Sequence, residues 1–154
     1  MKRSILDPTA KQEILSRIEL LTLGNQGKWG RLSVTQMVRH LMEANRLAFG
    51  EIPMPDRSNL LTRTLFKWMF LSNIKPPGRE KGKIQTLPEV DVINQDLLLG
   101  DFETEKDHYK KTLDRIVNTP QLHSQHSLFG KMSRQDWGNL VYAHADYHLT
   151  QFGV

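Results

Sequence analysis

The chain has 154 residues, of which 38% are hydrophobic, a size and composition that fit one globular domain with a sizeable core. It has no cysteine, which excludes disulfides, thiolate metal ligands and a cysteine nucleophile. No apolar run approaches the roughly 20 residues that span a bilayer, and the net charge of +4 is too dispersed to indicate a nucleic-acid-binding face. We therefore expect a cytoplasmic protein with a single domain over residues 1–154, without membrane or nucleic-acid partners.

Helix-start signals and apolar residues at helical spacing predict four long helices and one short helix. The first helix opens with a capping carboxylate and a proline at Asp7-Pro8 and ends before Gly24. The second begins with a capping box at Ser33 and runs to about residue 49. The other predicted helices are a short apolar one over 60–72 and two long amphipathic ones over 101–117 and 133–151. Proline and glycine indicate connections over 50–59 and 74–91.

The sequence contains an internal similarity between residues 29–37 and residues 129–137. Both segments read aromatic, glycine, basic, large apolar, serine, two variable residues, a capping side chain and a large apolar residue. Two good helix starts explain most of this similarity. The remainder suggests that the second and last helices are equivalent members of one bundle. No run alternates apolar and polar residues over the length of a strand, so we predict an all-α fold.

His144 and His148 are the most informative residues of the last predicted helix. They are four positions apart and share the apolar stripe of Trp137 and Val141, so both should point into the protein. A separation of one turn is the spacing that a metal ion needs from two ligands on a helix. A buried histidine pair must find partners, and a metal ion is one. The alternative is that each is a core histidine bonded to a backbone carbonyl or a carboxylate.

His40 is a third histidine on an apolar stripe, here with Met37 and Leu41 of the second helix. We compare the height of His40 along the second helix with the midpoint of His144 and His148 along the last helix, at about 1.5 Å per residue. If the two helices are antiparallel, these heights differ by about one turn, and if they are parallel, they differ by nearly two turns. The long connection between residues 50 and 100 allows the crossover that an antiparallel pair needs. We therefore predict that the second and last helices are antiparallel neighbours and that three imidazoles converge.

Three neutral histidines leave one position of a tetrahedral metal ion open, as in catalytic zinc sites. Such an ion lowers the pKa of bound water towards about 7 and polarises a substrate oxygen. Zinc is the favoured ion, with nickel, copper, iron or manganese as alternatives, because imidazole accepts several divalent metals. Glu43, three residues after His40, is the candidate catalytic residue, as a general base, a fourth ligand or a group that orients a histidine. Asp146 should face solvent.

Two other groups of residues have simpler explanations. We expect His108, His123 and His126 to be surface or loop residues. The basic residues of the 74–90 loop are best explained as a solvated connection, although they would favour anionic substrates if that loop formed the rim of a metal pocket. Those residues are Lys75, Arg79, Lys81 and Lys83.

The histidine pattern resembles that of a known family. His40, followed more than a hundred residues later by His144-x-x-x-His148, is similar to the DinB-like (YfiT-like) metalloenzyme superfamily. Further motifs resemble a branch known mainly as a domain of unknown function: Trp29-Gly-x-Leu-Ser, Gln36-Met-x-x-His40-Leu, Phe129-Gly-Lys-Met-Ser, Asp136-Trp-Gly and His144-x-x-x-His148-Leu-x-Gln151-Phe-Gly. The resemblance covers the chain from about residue 10 to the end, and it departs at Tyr147, where the branch often has histidine.

The resemblance implies a four-helix bundle of up-down-down-up topology, with a divalent metal ion held by His40, His144 and His148. Relatives include S-transferases that act with low-molecular-weight thiols, and a cysteine-free protein would need such an external thiol. We therefore expect a metal-dependent hydrolase or small-thiol transferase that acts on a small molecule. The alternatives are a non-catalytic metal- or ligand-binding bundle and an interaction module that forms a homodimer.

Overall fold

The computed structural model is mostly helical, with five α-helices and one short two-stranded antiparallel sheet in the residues that it describes, which are 2–72, 74, 86–95 and 97–154. The α-helices are α1 Pro8–Glu19, α2 Val34–Leu47, α3 Lys67–Leu71, α4 Phe102–Asn118 and α5 Arg134–Gln151. A π-helical turn, Thr62–Phe66, leads into α3, and a 3-10 turn, Pro88–Val90, precedes α4. Among the described residues, none of the helices has the length and apolar character that a membrane span requires.

The four long helices begin where their capping signals predict. Asp7 caps α1 and Asp101 caps α4, and each side chain accepts a hydrogen bond from a backbone amide of the first turn. Ser33 and Ser133 form complete capping boxes at the starts of α2 and α5. The short helix also forms, although Leu61 and the other apolar residues on its outer side are exposed. The four basic residues of the predicted 74–90 loop lie outside the residues that the structure describes.

The mostly helical structure agrees with the predicted all-α class, but the sequence did not reveal a short hairpin between residues 125 and 131. Strand β1, Gln125–His126, pairs with strand β2, Gly130–Lys131, in an antiparallel hairpin. Each strand has only two residues, so it is too short to produce the alternation of apolar and polar residues by which strands are recognised in a sequence. This hairpin connects the end of α4 to the start of α5.

The long helices bury one continuous apolar core. Its largest fully buried side chains come from all four of them and include Ile14, Ile18, Met37, Leu41, Tyr109, Leu113, Trp137 and Leu149. Helix α2 packs against α4 and α5, and α1 packs against the same two helices. Burial of these apolar faces is the main term that stabilises the helices, because helices of this length are marginal in isolation.

Helices α2 and α5 are neighbours that run in opposite directions, as the sequence predicts. Lys28, just before α2, donates its backbone N–H to the carbonyl of Gln151 at the end of α5. At the other end, the backbone N–H of His123 binds the carbonyl of Ala48 behind α2, and Trp137 at the start of α5 donates its indole N–H to the carbonyl of His123. The start of each helix therefore lies beside the end of the other.

The internal similarity extends to the backbone conformation. Gly30 and Gly130 both adopt left-handed φ angles, of 82° and 64°, immediately before their capping boxes. Glycine is favoured there because a Cβ atom disfavours this conformation. At Gly30 a Cβ atom would also lie only 2.7 Å from Nε2 of Gln151, so the entry to α2 is closed against the end of α5.

We expect Gly30→Ala to lower the free energy of unfolding by about 1–3 kcal/mol, because alanine would meet both the φ penalty and Gln151. Urea denaturation followed by circular dichroism measures this change. Gly24→Ala is the matched control, because a Cβ atom there meets its nearest neighbour at an ordinary 3.6 Å, and it should change stability by less than about 1 kcal/mol. Equal effects of the two substitutions would contradict this account of Gly30.

Candidate metal centre

Three imidazole rings from two helices meet at one point inside the protein. His40 comes from α2, and His144 and His148 come from successive turns of α5. Nε2 of His144 lies 3.0 Å from Nε2 of His40 and 3.1 Å from Nε2 of His148. The ring centroids form a nearly equilateral triangle with sides of 4.8 to 4.9 Å. One nitrogen from each ring therefore faces the same small volume, an arrangement that could hold a metal ion.

The outer nitrogens of two of these rings are held by hydrogen-bond acceptors. Nδ1 of His40 lies 2.8 Å from the carbonyl oxygen of Val90, in the 3-10 turn. Nδ1 of His148 lies 2.8 Å from Oε1 of Gln151, whose own Nε2 donates to the carbonyl of Trp29. An oxygen acceptor requires a proton on the nitrogen that faces it, so in each neutral ring the hydrogen is on Nδ1. The Nε2 atoms of His40 and His148 therefore present lone pairs to His144.

Burial favours the neutral forms of His40 and His144. It lowers the pKa of His40, although the bond to the Val90 carbonyl acts in the opposite direction. Burial also holds the pKa of His144 well below its ordinary value, and the neighbouring His148 and His40 lower it further. The Nε2 atoms of His40 and His148 carry no hydrogen. The three inner nitrogens therefore share at most one hydrogen, which would be on Nε2 of His144. A cation is the partner that satisfies all three lone pairs.

Glu43 is not brought to this cluster. Its carboxylate is buried between two arginines of α2, with Arg39 Nε at 2.8 Å and Arg46 Nη1 at 2.9 Å. Arg39 also binds Glu105 of α4 at 3.2 Å, so this charge network lies at the contact between α2 and α4. A residue three positions after His40 can share its helix face, but the two arginines hold the Glu43 carboxylate at this contact instead. Asp146 is ion-paired with Arg17 of α1, which places it between helices rather than facing solvent.

A cavity of about 910 Å³ reaches the three histidines. Trp29 and Tyr147 lie at one side of it, with the indole N–H donating to the Tyr147 hydroxyl at 2.9 Å. Tyr147 stands where the resembling branch often has histidine, and here it contributes an aromatic wall. The lining also includes Phe129 and, from the connection before α4, Leu87 and Val90. Glu43, the predicted catalytic residue, is not among the described lining residues of this cavity.

One histidine that was predicted to lie at the surface or in a loop is buried. His108 and His123 are exposed, as predicted, but the surface prediction was wrong for His126, which is only 7% exposed. It sits in β1, where its ring stacks on Phe129 with the centroids 4.6 Å apart. Its burial was not predicted because the hairpin that encloses it gives no recognisable strand pattern.

A family comparison adds one finding to this geometry. The family model described as "Protein of unknown function (DUF1569)" matches residues 1–153. The chain belongs to this family. No curated protein and no solved structure gives a match. The family description assigns no activity, so the function has to be argued from the site itself.

Sequence reasoning missed two groups that orient the histidines. The Val90 carbonyl could not have been found, because it belongs to an irregular segment with no sequence pattern. Gln151 could have been found, since it lies three residues after His148 and therefore on the same face of α5. Partners of this kind fix the tautomer and the direction of a metal-binding histidine.

His126 should contribute to acid sensitivity. Burial, with a smaller effect from the charge of Lys67, lowers its pKa to about 4. Below about pH 6.5 the unfolded chain takes up a proton that the folded protein refuses, so the free energy of unfolding falls as the pH falls towards 4. We expect His126→Asn to reduce that loss by about 3 kcal/mol, measured by urea denaturation of metal-free protein at pH 7.5 and pH 4. An identical pH dependence in both proteins would contradict the assignment.

Gln151 should tighten any metal site formed by the histidines. We expect Gln151→Ala to weaken zinc binding by about 10- to 100-fold, because the Nδ1–H group of His148 loses its acceptor. Competition with a chromophoric chelator measures this affinity. Gln135→Ala is the matched control, since Gln135 is a glutamine of the same helix whose side chain binds Asn139 instead. Equal affinities for the wild type and the Gln151 variant would exclude this orienting role.

Proposed function

We propose that this protein is a metal-dependent enzyme in which His40, His144 and His148 hold one divalent ion. The observation that supports this most is the inward set of three Nε2 atoms, two of which must be unprotonated because their Nδ1–H groups face oxygen acceptors. A core histidine with a structural role needs one partner for each ring nitrogen. The lone pairs of His40 and His148 have at most the one hydrogen of His144 between them, whereas a cation would satisfy all three nitrogens.

Zinc is the ion that this donor set fits best. Three neutral imidazoles with no carboxylate in the group suit zinc, and they also accept nickel, copper or iron, whereas manganese prefers oxygen donors. When bound, the ion supplies Lewis acidity, which acidifies a water or thiol and polarises a substrate oxygen. The chain supplies three ligands, their fixed tautomers and the cavity through which a small molecule would arrive.

The proposal extends to the arrangement of the helices. We propose that the four long helices form one bundle in the up-down-down-up order of DinB-like metalloenzymes. Helix α1 is parallel to α5 in this order, which the contacts Ile5–Gly138 and Arg17–Asp146 support. Helix α1 is antiparallel to α4, which the contacts Lys11–Asp114 and Glu19–Lys110 support. Helix α2 is parallel to α4, which the contacts Arg39–Glu105 and Asn45–Thr112 support.

An enzyme is favoured over a purely structural metal site because the histidines border a cavity. A structural zinc site is closed by four protein ligands, whereas three ligands beside a cavity leave a position for a substrate. Hydrolysis and transfer of an external low-molecular-weight thiol both use an acidified nucleophile of this kind. We propose one of these two reactions, on a small molecule.

We expect tag-free protein to bind one zinc ion per chain. His40→Ala, His144→Ala and His148→Ala should each lose the ion, because two imidazoles bind far more weakly than three. Elemental analysis after dialysis against zinc and then buffer measures this. Glu43→Gln is the informative control, because Glu43 pairs with arginines and should be unnecessary for zinc even though the substitution lowers stability by about 1–3 kcal/mol. Zinc retained by the His144 variant would contradict the site.

The catalytic part of the proposal needs a separate experiment. Zinc-loaded protein would be assayed for hydrolysis of 4-nitrophenyl acetate and for addition of 2-mercaptoethanol to monobromobimane. Activity in one assay that disappears with chelator, returns with zinc and is absent in His144→Ala would support the enzyme. Stoichiometric zinc binding without metal-dependent activity in a broad panel of esters and electrophiles would favour the non-catalytic alternative.

A further inference from the structure

The cavity beside the histidines is mainly apolar and aromatic. Its walls include Trp29, Leu32, Phe70, Phe129, Leu140 and Tyr147. Its volume of about 910 Å³ is in the range of cavities that enclose a drug-sized molecule. A ligand that fills it would therefore present mostly carbon surface to these side chains.

Charged groups contribute little to the described lining. Arg31 is exposed, and Asp91 is the acidic residue among the lining residues. The Asp91 carboxylate is already occupied, because it accepts hydrogen bonds from the backbone N–H groups of Ile93 and Asn94 and from the Asn94 side-chain amide. Among the described lining residues, no carboxylate without hydrogen-bond partners is therefore directed at a ligand, and the interior of the cavity favours an uncharged molecule.

His126 adds a fixed polar group to this wall. Its Nδ1 atom accepts hydrogen bonds from the backbone N–H groups of Leu128 and Phe129, at 3.1 and 3.3 Å. A nitrogen that accepts two N–H groups carries no hydrogen, so the hydrogen of the neutral ring is on Nε2. The ring cannot turn freely, because it is stacked on Phe129 and lies against Trp137, with centroids 5.5 Å apart.

The Nε2–H group of His126 is available to a ligand. Within the part of the chain that the structure describes, no backbone or side-chain group pairs with it. His126 lines the cavity of His40, His144 and His148, and it also borders a second cavity beside Lys67. A buried donor that lacks a protein partner is costly unless water or a ligand accepts from it.

We propose that His126 is a substrate-binding residue, and that the cavity takes an uncharged, largely aromatic or alicyclic molecule with a hydrogen-bond acceptor close to its metal-binding atoms. This inference rests on the proposed metal centre. The three histidines would fix the metal-binding end of the ligand, the Nε2–H group would donate to the acceptor, and the apolar walls would enclose the remainder. Selectivity would then come from the position of the acceptor and the carbon surface rather than from charge.

The test uses cobalt-loaded protein and benzohydroxamate as an aromatic, metal-binding probe, titrated by visible absorption. His126→Asn keeps an acceptor near the Nδ1 position and removes the Nε2–H group, so we expect about three- to tenfold weaker binding. His126→Gln returns an N–H group near the Nε2 position and should bind close to the wild type. His123→Asn, a change at the exposed histidine before β1, should have no effect. Acetohydroxamate, which lacks the ring, should bind at least about tenfold more weakly than benzohydroxamate.

A second measurement does not depend on the variants folding. In zinc-loaded, ¹⁵N-labelled wild type, the Nε2–H proton of His126 should move downfield when benzohydroxamate binds. An unmoved resonance, or equal probe affinity in the wild type and His126→Asn with cobalt bound to both, would overturn the role of His126 while leaving the metal centre intact. Equal affinities for the two hydroxamates would overturn the aromatic preference. A wild type that takes up no cobalt would overturn the proposed function, and this inference with it.

Discussion

The candidate site depends on a single electrostatic constraint, which is the meeting of three imidazole nitrogens in a buried volume. His40 and His148 give their outer N–H groups to oxygen acceptors, so their inner nitrogens carry lone pairs that face His144. This arrangement requires α2 and α5 to be adjacent and antiparallel, and it requires the 3-10 turn to place the Val90 carbonyl behind His40. Without a cation, a single hydrogen on Nε2 of His144 has to serve the lone pairs of both other rings.

The two similar helix entries both contribute side chains to the cavity of this site. The segment before α2 brings Trp29 to the cavity and closes through Gly30 against Gln151, the partner of His148. The segment before α5 brings Phe129 to the cavity, where it holds the ring of His126. The aromatic-glycine pair therefore does more than start a helix, because at each entry the aromatic side chain becomes part of a cavity wall.

The parts of this account that follow helical periodicity could be predicted from the sequence. The spacing of His144 and His148, the stripe that carries His40 and the capping boxes each depend on a regular geometry that the sequence repeats. The Glu43 environment could not be predicted, because two arginines of its own helix and a glutamate from α4 decide where its carboxylate lies. Val90 and His126 lie in an irregular turn and a two-residue strand, where position is set by tertiary packing.

The central claim is that all three histidines bind one ion at the same time. X-ray absorption at the zinc K edge of tag-free, zinc-loaded protein tests this most directly, because imidazole rings give characteristic outer-shell scattering. Our account predicts a first shell at about 2.0–2.1 Å with scattering from three imidazoles and one light ligand that is not a histidine. A shell with two or fewer imidazoles, or one dominated by carboxylate oxygens, would contradict it.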